Sequence, residues 1–282
     1  MAAVTPRLLR HLRLYESAQI LVPGLFGILL QRTLPAAGLF LVYVVAYGSH
    51  VLSVYSFNDL CDYESDALNP RKTETGVRSR RWLLIQTAVL TAVFLASVVF
   101  LPAVVRVLLL GSQVVCLAYS HPRVRLKRRP LGSELAHFTV GFSYFASGVL
   151  VAGGDLRRQW LGAVAFGLLY LSGGTFNEIM DYEPDRRAEL RHLVVLAGRR
   201  RALGLVFAVH YAAFALLALA WPSTLVVASC AAAALLYTVA IRNLRSSVDE
   251  PGLLLRFRRR YRLLFAALLV LLGLARVMST SP

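Results

Sequence analysis

The chain has 282 residues, of which 57% are hydrophobic and only 16% are charged, whereas about a quarter of the residues in a typical soluble domain are charged. A single water-soluble core could not bury so much apolar surface, and the same composition excludes intrinsic disorder. The formal net charge is +16, from 31 Lys and Arg against 15 Asp and Glu, so the placement of the basic residues needs its own explanation.

Apolar runs long enough to cross a bilayer, about 20 residues each, recur along the whole chain. They predict an all-α, polytopic membrane protein with nine transmembrane helices in one domain over residues 1–282. In chain order the predicted spans are Leu14–Leu30, Ala36–Phe57, Trp82–Leu101, Ala103–Ser120, Ser133–Val151, Trp160–Met180, Ala202–Trp221, Thr224–Ile241 and Leu263–Val277.

The basic residues support this arrangement of spans. Most of them fall in the N-terminal segment and in the connections after spans two, four, six and eight. The positive-inside rule then places the N-terminus in the cytoplasm and the C-terminus outside. Cations in short connections beside a lipid bilayer indicate topology rather than nucleic-acid binding. Three cysteines without paired metal spacing argue against a disulfide framework or a zinc site.

Ten of the 15 acidic residues fall in two short windows at the ends of spans two and six. Residues 57–66 (FNDLCDYESD) align without a gap to residues 176–185 (FNEIMDYEPD), 119 positions later. A weaker echo pairs residues 119–120 (YS) with residues 237–238 (YT) at the ends of spans four and eight. We therefore expect two four-helix repeats plus a ninth helix around a central cavity, with spans two and six facing each other.

The spacing within each window suggests a cation site. Positions i, i+4 and i+8 share one helical face, which groups Asn58, Asp62 and Asp66, with Asp59 at the border. Asn177, Asp181 and Asp185 repeat the pattern. Clustered carboxylates repel one another unless a cation intervenes, and oxygen ligands without a Cys or His cluster favour Mg²⁺, with Mn²⁺ possible. Simple charge balance at a helix end is the alternative, which two near-identical windows disfavour.

Basic residues next to the acidic windows suggest a phosphorylated ligand. Carboxylates, a divalent cation and Arg or Lys together stabilise a polyphosphate leaving group. Although most of the cations reflect topology, we expect Arg71, Lys72 and Lys127 to be ligands.

Together these residues resemble the UbiA superfamily of intramembrane prenyltransferases. The family motif N-D-x-x-D-x-x-x-D matches residues 58–66, D-x-x-x-D matches residues 181–185, and Y-S-x-P-x-x-R-L-K matches residues 119–127. Family members bind an isoprenyl diphosphate through Mg²⁺ held by both Asp motifs, and the allylic carbocation formed when the diphosphate leaves alkylates an acceptor inside the helical barrel.

The resemblance also implies roles for individual residues. The catalytic residues are Asp62, Asp66, Asp181 and Asp185, which together with Asp59 are the metal ligands. The residues expected to bind substrate are Asn58, Asp59, Arg71, Lys72, Tyr119, Lys127 and Asn177.

The second window departs from the family pattern. Glu178 replaces an Asp, and Pro184, which has no N–H, is expected to kink or end the helix. Glu189 and His192 stand where members often have Gly and Thr or Ser. Polar residues inside spans, including Glu134, are further candidates for the site, because burying them in lipid is costly.

The sequence thus predicts an Mg²⁺-dependent prenyltransferase acting at the cytoplasmic face. Its substrates would be an isoprenyl diphosphate and a lipophilic acceptor, preferably an aromatic one, and no obligatory protein partner is inferred. A terpene cyclase on the same scaffold, which needs no acceptor, is the alternative. A transporter is disfavoured because the acids lie at helix ends rather than at mid-span.

Overall fold

The computed structural model describes residues 14–31, 33–64, 79–187 and 189–245, together with residues 254, 257 and 273. Every regular element within the described residues is helical. The ten α-helices, joined in one place by a 3-10 turn at Leu126–Arg128, are α1 Leu14–Leu29, α2 Ala37–Cys61, α3 Arg80–Val98, α4 Ala103–Ser120, α5 Gly132–Val151, α6 Leu156–Met180, α7 Tyr182–Arg187, α8 Leu193–Ala197, α9 Arg199–Ala220 and α10 Thr224–Arg245.

Eight of the predicted spans coincide with a helix, each within a few residues at either end. By length and composition, four helices of the described part of the chain are able to cross a membrane: α2, α3, α4 and α9. Helices α1 and α10 contain shorter apolar stretches, Ile20–Leu29 and Thr224–Val239. The predicted ninth span, Leu263–Val277, lies outside the described residues.

The chain forms two compact units. The first contains residues 1–126 and 146–154, and therefore holds α1 to α4 and the last residues of α5. The second contains residues 127–145 and 155–282, with the first part of α5 and helices α6 to α10.

In the first unit, α1 packs closely against its neighbours at a glycine. The rings of Tyr43 and Tyr47 on α2 occupy the space that a Cβ at Gly24 would need. A Cβ at Gly148 on α5 would collide with the backbone carbonyl of Gly24. Tyr43 in turn shares a 2.8 Å hydrogen bond with Ser147. Two glycines and two tyrosines therefore fix the contact of α1 with α2 and α5.

The second unit has an aromatic core with one polar group inside it. The rings of Phe145 and Phe166 stack at 4.8 Å, and Phe207 packs edge-on against Tyr237 at 5.4 Å. His210, which is fully buried, lies 2.9 Å from the carbonyl oxygen of Val206 and 3.0 Å from the hydroxyl of Tyr237. Its imidazole thus has polar neighbours, which offset the cost of burying it.

Candidate active site

Each acidic window lies where a long helix ends. Asp62 is the C-cap of α2, with φ −99° and ψ 8°, and Asp181 is the C-cap of α6, with φ −96° and ψ 9°. The Asp62 N–H donates to the Asn58 carbonyl at 3.0 Å, and the Asp181 N–H donates to the Asn177 carbonyl at 3.1 Å. The two segments, 119 residues apart in sequence, therefore share one local conformation.

This conformation differs from the uninterrupted helices assumed in the sequence analysis. A ψ near 10° at Asp62 and Asp181 breaks the regular helical path. The sequence predicted an interruption of the second window at Pro184. The helix is instead interrupted at Asp181, three residues earlier. Pro184 lies in the first turn of α7, where the N–H that it lacks has no helical acceptor, so it does not disturb that helix.

In the first unit, side chains from α2, α4 and the following loop meet around Asp62. The Ser120 hydroxyl donates a 2.7 Å hydrogen bond to the Asn58 side-chain oxygen, and Asp59 is buried. The guanidinium of Arg125 lies 3.5 Å from an Asp62 carboxylate oxygen, with the two side chains 23% and 13% exposed. The backbone of Arg125 is left-handed, with φ 46°, at the point where the loop after α4 brings its side chain to the end of α2.

The other residues expected to bind substrate differ in burial, and some lie outside the described part of the chain. Asp66, Arg71 and Lys72 lie outside the described residues. Tyr119 is half-buried in the last turn of α4, and Lys127 is half-buried in the 3-10 turn. Asn177 is exposed in the last turn of α6, unlike its half-buried counterpart Asn58. Expectations for the residues outside the described part remain predictions.

In the second unit, His192 lies between two acidic side chains. Its Nε2 donates a hydrogen bond of 3.1 Å to Asp185 Oδ2, and its Nδ1 lies 3.3 Å from Glu178 Oε2. Burial by itself lowers the pKa of the imidazole. The Asp185 hydrogen bond and the negative charges of Glu178, Asp185 and Glu134 outweigh that effect, so the pKa of His192 is above its ordinary value.

Glu134 adds a further buried carboxylate near His192. It lies in the first turn of α5 and is 5% exposed. No other described residue donates a hydrogen bond to either of its carboxylate oxygens. A buried carboxylate without such donors is costly, and with Glu178 and Asp185 it gives this part of the second unit an excess of negative charge.

The charge at both windows suits a divalent cation. The carbonyl end of a helix carries partial negative charge and disfavours carboxylates, yet α2 and α6 both end in acidic residues. Among the described residues, no three His, Cys, Asp or Glu side chains are placed to hold a metal ion together. Mg²⁺, however, takes only one or two carboxylates, with water and substrate phosphates completing its shell. The oxygen donors of Asp59, Asp62, Asp181 and Asp185 therefore fit Mg²⁺ by their chemistry.

The sequence that contains the two acidic windows matches a known protein family. The sequence model of the UbiA prenyltransferase family matches residues 20–260. The chain belongs to the UbiA prenyltransferase family. The resemblance found in the acidic motifs is thereby confirmed over most of the chain.

Two curated proteins are similar to more than half of the chain. The C(50) beta-cyclic carotenoids biosynthesis protein LbtBC of Dietzia sp. is 33% identical over 185 residues, which cover 61% of this chain and 42% of that protein. A lycopene elongase/hydratase of Corynebacterium glutamicum is 30% identical over 161 residues, 55% of this chain and 56% of that protein. The chain thus spans about half the length of the curated relatives that it matches.

A solved structure shows the same fold. The UbiA homolog from Archaeoglobus fulgidus bound to GPP and Mg²⁺ superposes with a TM-score of 0.73 at 20% identity. The match covers 96% of this chain and 99% of that one. The UbiA fold therefore extends over nearly the whole chain.

Sequence analysis did not anticipate three of the contacts in these two clusters. Arg125 is the arginine of the stretch that matched the family motif, but its contact with Asp62 was not predicted. His192 was noted only as a departure from the UbiA pattern, and Glu134 only as a polar residue within a span. The available signal was an ionisable residue in the connection after a predicted span for Arg125 and His192, and inside a predicted span for Glu134.

Proposed function

We propose that this chain catalyses the Mg²⁺-dependent transfer of a prenyl group from an isoprenyl diphosphate to a lipophilic acceptor, with release of diphosphate. The observation that carries the proposal is the repeated acidic helix end. Asp62 and Asp181 cap α2 and α6 with the same backbone angles, in a chain of the UbiA prenyltransferase family. The Mg²⁺ and GPP named for the Archaeoglobus fulgidus homolog add support.

The carboxylates serve to bind Mg²⁺. In this proposal Asp59, Asp62 and Asp66 are ligands from the first window, and Asp181 and Asp185 are ligands from the second. When bound, Mg²⁺ supplies positive charge that neutralises the diphosphate. The family motif does not require every carboxylate to bind the metal directly, since Mg²⁺ keeps several waters.

Basic side chains contribute the rest of the positive charge. Arg125 already lies beside Asp62, and we expect Arg71, Lys72 and Lys127 to assist it. When the allylic C–O bond breaks, both bonding electrons leave with the diphosphate oxygen, whose negative charge grows. Fixed cations therefore stabilise the transition state more than the ground state, which accelerates the cleavage.

Aromatic side chains provide surroundings in which an allylic cation can survive. In the second unit Phe138 and Phe142 are 6.3 Å apart, and Tyr144 and Tyr170 meet edge-on at 6.1 Å. Aromatic faces attract cations, and a site without water prevents the cation from being quenched. We propose that side chains of this kind line the acceptor site.

The names of the relatives support a polyene acceptor over an aromatic one. Lycopene elongase/hydratase names a protein acting on a long conjugated hydrocarbon, and LbtBC is named for carotenoid biosynthesis. In such a transfer an acceptor double bond forms the new C–C bond with the allylic carbon. The resulting cation then either loses a proton to restore a double bond, or adds water and loses a proton from the added oxygen to give an alcohol.

We further propose the architecture inferred from the sequence. Nine transmembrane helices form one domain of two four-helix repeats and a ninth helix around a central cavity, with a cytoplasmic N-terminus, an external C-terminus and a site open to the cytoplasm. The matching backbone angles at Asp62 and Asp181 support the repeat.

The decisive experiment is a substrate panel with purified, membrane-reconstituted protein. Isoprenyl diphosphates of increasing chain length are incubated with Mg²⁺ or EDTA, and with lycopene, an aromatic acceptor or no acceptor. We expect diphosphate release and a prenylated product only with Mg²⁺ and an acceptor. Turnover without any acceptor would indicate a cyclase, and EDTA-insensitive turnover would contradict the proposed role of the acidic windows.

A further inference from the structure

We propose that His192 is a positioning residue, which holds the carboxylates of Asp185 and Glu178 in place for cation binding. The inference rests on the proposed function, because it assigns a role in the same Mg²⁺ site. Nothing in the motif that places the chain in its family includes this histidine. The assignment comes from its contacts in the second unit.

The contacts of the imidazole define a bridge. One ring nitrogen, Nε2, donates to Asp185 Oδ2 at 3.1 Å, and the other, Nδ1, lies 3.3 Å from Glu178 Oε2. His192 is 1% exposed and Glu178 8%. A side chain so buried, with an acid at each ring nitrogen, has little freedom to turn away. Asp185 is thereby hydrogen-bonded to His192, and Glu178 lies at ion-pair distance from the same ring without a hydrogen bond to it.

The backbone around His192 is fixed as well. After α7 the chain reverses at Glu189, whose φ is 53°, and the Leu190 N–H donates back to the Asp185 carbonyl at 3.1 Å. His192 is the N-cap of α8, and Val194 in that helix is fully buried in a hydrophobic cluster with Phe176 and Ile179. Hydrogen bonds on one side and apolar packing on the other therefore set the position of the ring.

Such a bridge is needed because the acidic window is divided between two helices. Glu178 belongs to α6, which ends at Met180, whereas Asp185 belongs to α7. A continuous helix would fix their relative position, but the interruption at Asp181 removes that constraint. His192 supplies a replacement. Residues that orient a ligand carboxylate in this way commonly change metal affinity by about 10- to 100-fold.

The sequence of the first window has no histidine at the corresponding position. The position 119 residues before His192 is Thr73, and a cationic contact of Asp62 comes from Arg125 in the loop after α4. The two windows therefore share their acidic pattern, whereas the histidine occurs in the sequence of the second window alone. His192 is specific to the second window.

Mn²⁺ titration followed by electron paramagnetic resonance tests the inference directly, because it reports cation binding without turnover. We expect His192→Ala and His192→Leu to raise the Mn²⁺ concentration at half-saturation by about 10- to 100-fold. Leucine fills the space but cannot donate a hydrogen bond. His192→Gln keeps one donor for Asp185, and we expect it to recover most of the affinity.

His210→Gln is the matched control. His210 is also a fully buried histidine of the second unit, but its hydrogen-bond partners include Val206, Ser172 and Tyr237, none of them acidic. We expect its substitution to lower the thermal midpoint and leave Mn²⁺ half-saturation within about twofold, since none of these three partners is a carboxylate.

The outcomes separate this inference from the proposed function. Unchanged half-saturation in the leucine variant, or a loss in the glutamine variant as large as in alanine, would overturn the role of His192. If the wild-type protein neither binds Mn²⁺ nor releases diphosphate, the proposed function itself fails. Wild-type binding and turnover with no effect of His192 substitution would leave the function standing and remove only the bridge.

Discussion

At the scale of single residues, Asp62 is the carboxylate whose surroundings are best defined in the first unit. It caps α2, is 13% exposed and lies beside Arg125. We predict that Asp62→Asn lowers Mg²⁺-dependent diphosphate release by at least about 100-fold, because the neutral amide stabilises neither the cation nor, through it, the leaving group. Steady-state diphosphate release measures the effect.

Glu64 offers a control for that substitution in the same acidic window. Its side chain is exposed two positions after Asp62, and it is not part of the family motif. We expect Glu64→Gln to retain activity within a few-fold of the wild type. Equal losses in both variants would mean that general charge at the helix end matters, rather than the carboxylate of Asp62.

Glu134 leads to a prediction about stability. Its two carboxylate oxygens are buried and receive no hydrogen bond from other described residues. Their charge repels Glu178 and attracts His192, and we expect the cost of burial to exceed that attraction. We predict that Glu134→Gln stabilises the protein in EDTA by about 1 kcal/mol or more, because it removes a buried negative charge. Thermal unfolding of the purified protein, with and without EDTA, measures the change.

Glu183 provides the comparison for Glu134. Its side chain is 48% exposed and lies 3.8 Å from Arg199, a geometry worth little in free energy. Glu183→Gln should therefore leave the thermal midpoint nearly unchanged. A lower thermal midpoint for Glu134→Gln than for the wild type would contradict the prediction, because it would show that the Glu134 charge makes a net stabilising interaction.

At the scale of elements, hydropathy predicted the helices well and their ends less well. The predicted second span stops at Phe57, where polar residues begin, but α2 continues to Cys61. The difference arises because backbone hydrogen bonding, not hydropathy, ends a helix: the Asp62 N–H still reaches the Asn58 carbonyl. Length and apolar character are thus readable from the sequence, whereas the last turn is set by local geometry.

The site was predictable to the extent that it is local in sequence. The acidic windows follow from repeated spacing, and both occur at helix ends as expected. The contacts of Arg125 and His192 depend on chain reversals near residues with positive φ, Arg125 itself and Glu189. Non-glycine residues rarely adopt a positive φ, so the sequence did not predict these chain reversals. The contacts of Arg125 with Asp62 and of His192 with Asp185 could therefore not be deduced.

The packing of α1 and α5 predicts a strong effect at one glycine. A Cβ at Gly148 would collide with the Gly24 backbone, which cannot move aside as a side chain can. We predict that Gly148→Ala destabilises the protein by about 1–3 kcal/mol, because the two helices must separate. Thermal unfolding in detergent measures the loss.

Gly111 on α4 is the matched substitution. A Cβ there meets nothing within 4 Å, so Gly111→Ala should be neutral or stabilising by up to about 1 kcal/mol through helix propensity. If both alanines destabilise equally, then loss of glycine flexibility, rather than the close approach of α1 and α5, would account for the effect.

At the scale of the whole molecule, the prediction to check is topology. The predicted outside connection contains Arg157, and the predicted cytoplasmic connection contains Arg187; both side chains are exposed. In a background without Cys61, Cys116 and Cys230, we expect a cysteine at position 157 to react with an impermeant maleimide in intact cells. A cysteine at position 187 should react only after permeabilisation. The charge distribution gives the reason, and the reversed labelling pattern would overturn the proposed orientation.

The contact of Gly24 with Gly148 also leads to an expectation about which residues related proteins keep during evolution. A Cβ at Gly148 would collide with the Gly24 backbone, and a Cβ at Gly24 would collide with the rings of Tyr43 and Tyr47, so neither position is free to change while this helix crossing is kept. Homologous lineages that retain this helix crossing are expected to keep both glycines, and those that abandon it to lose both. This pair, 124 residues apart, would then mark branches of the family independently of the chemistry each branch performs.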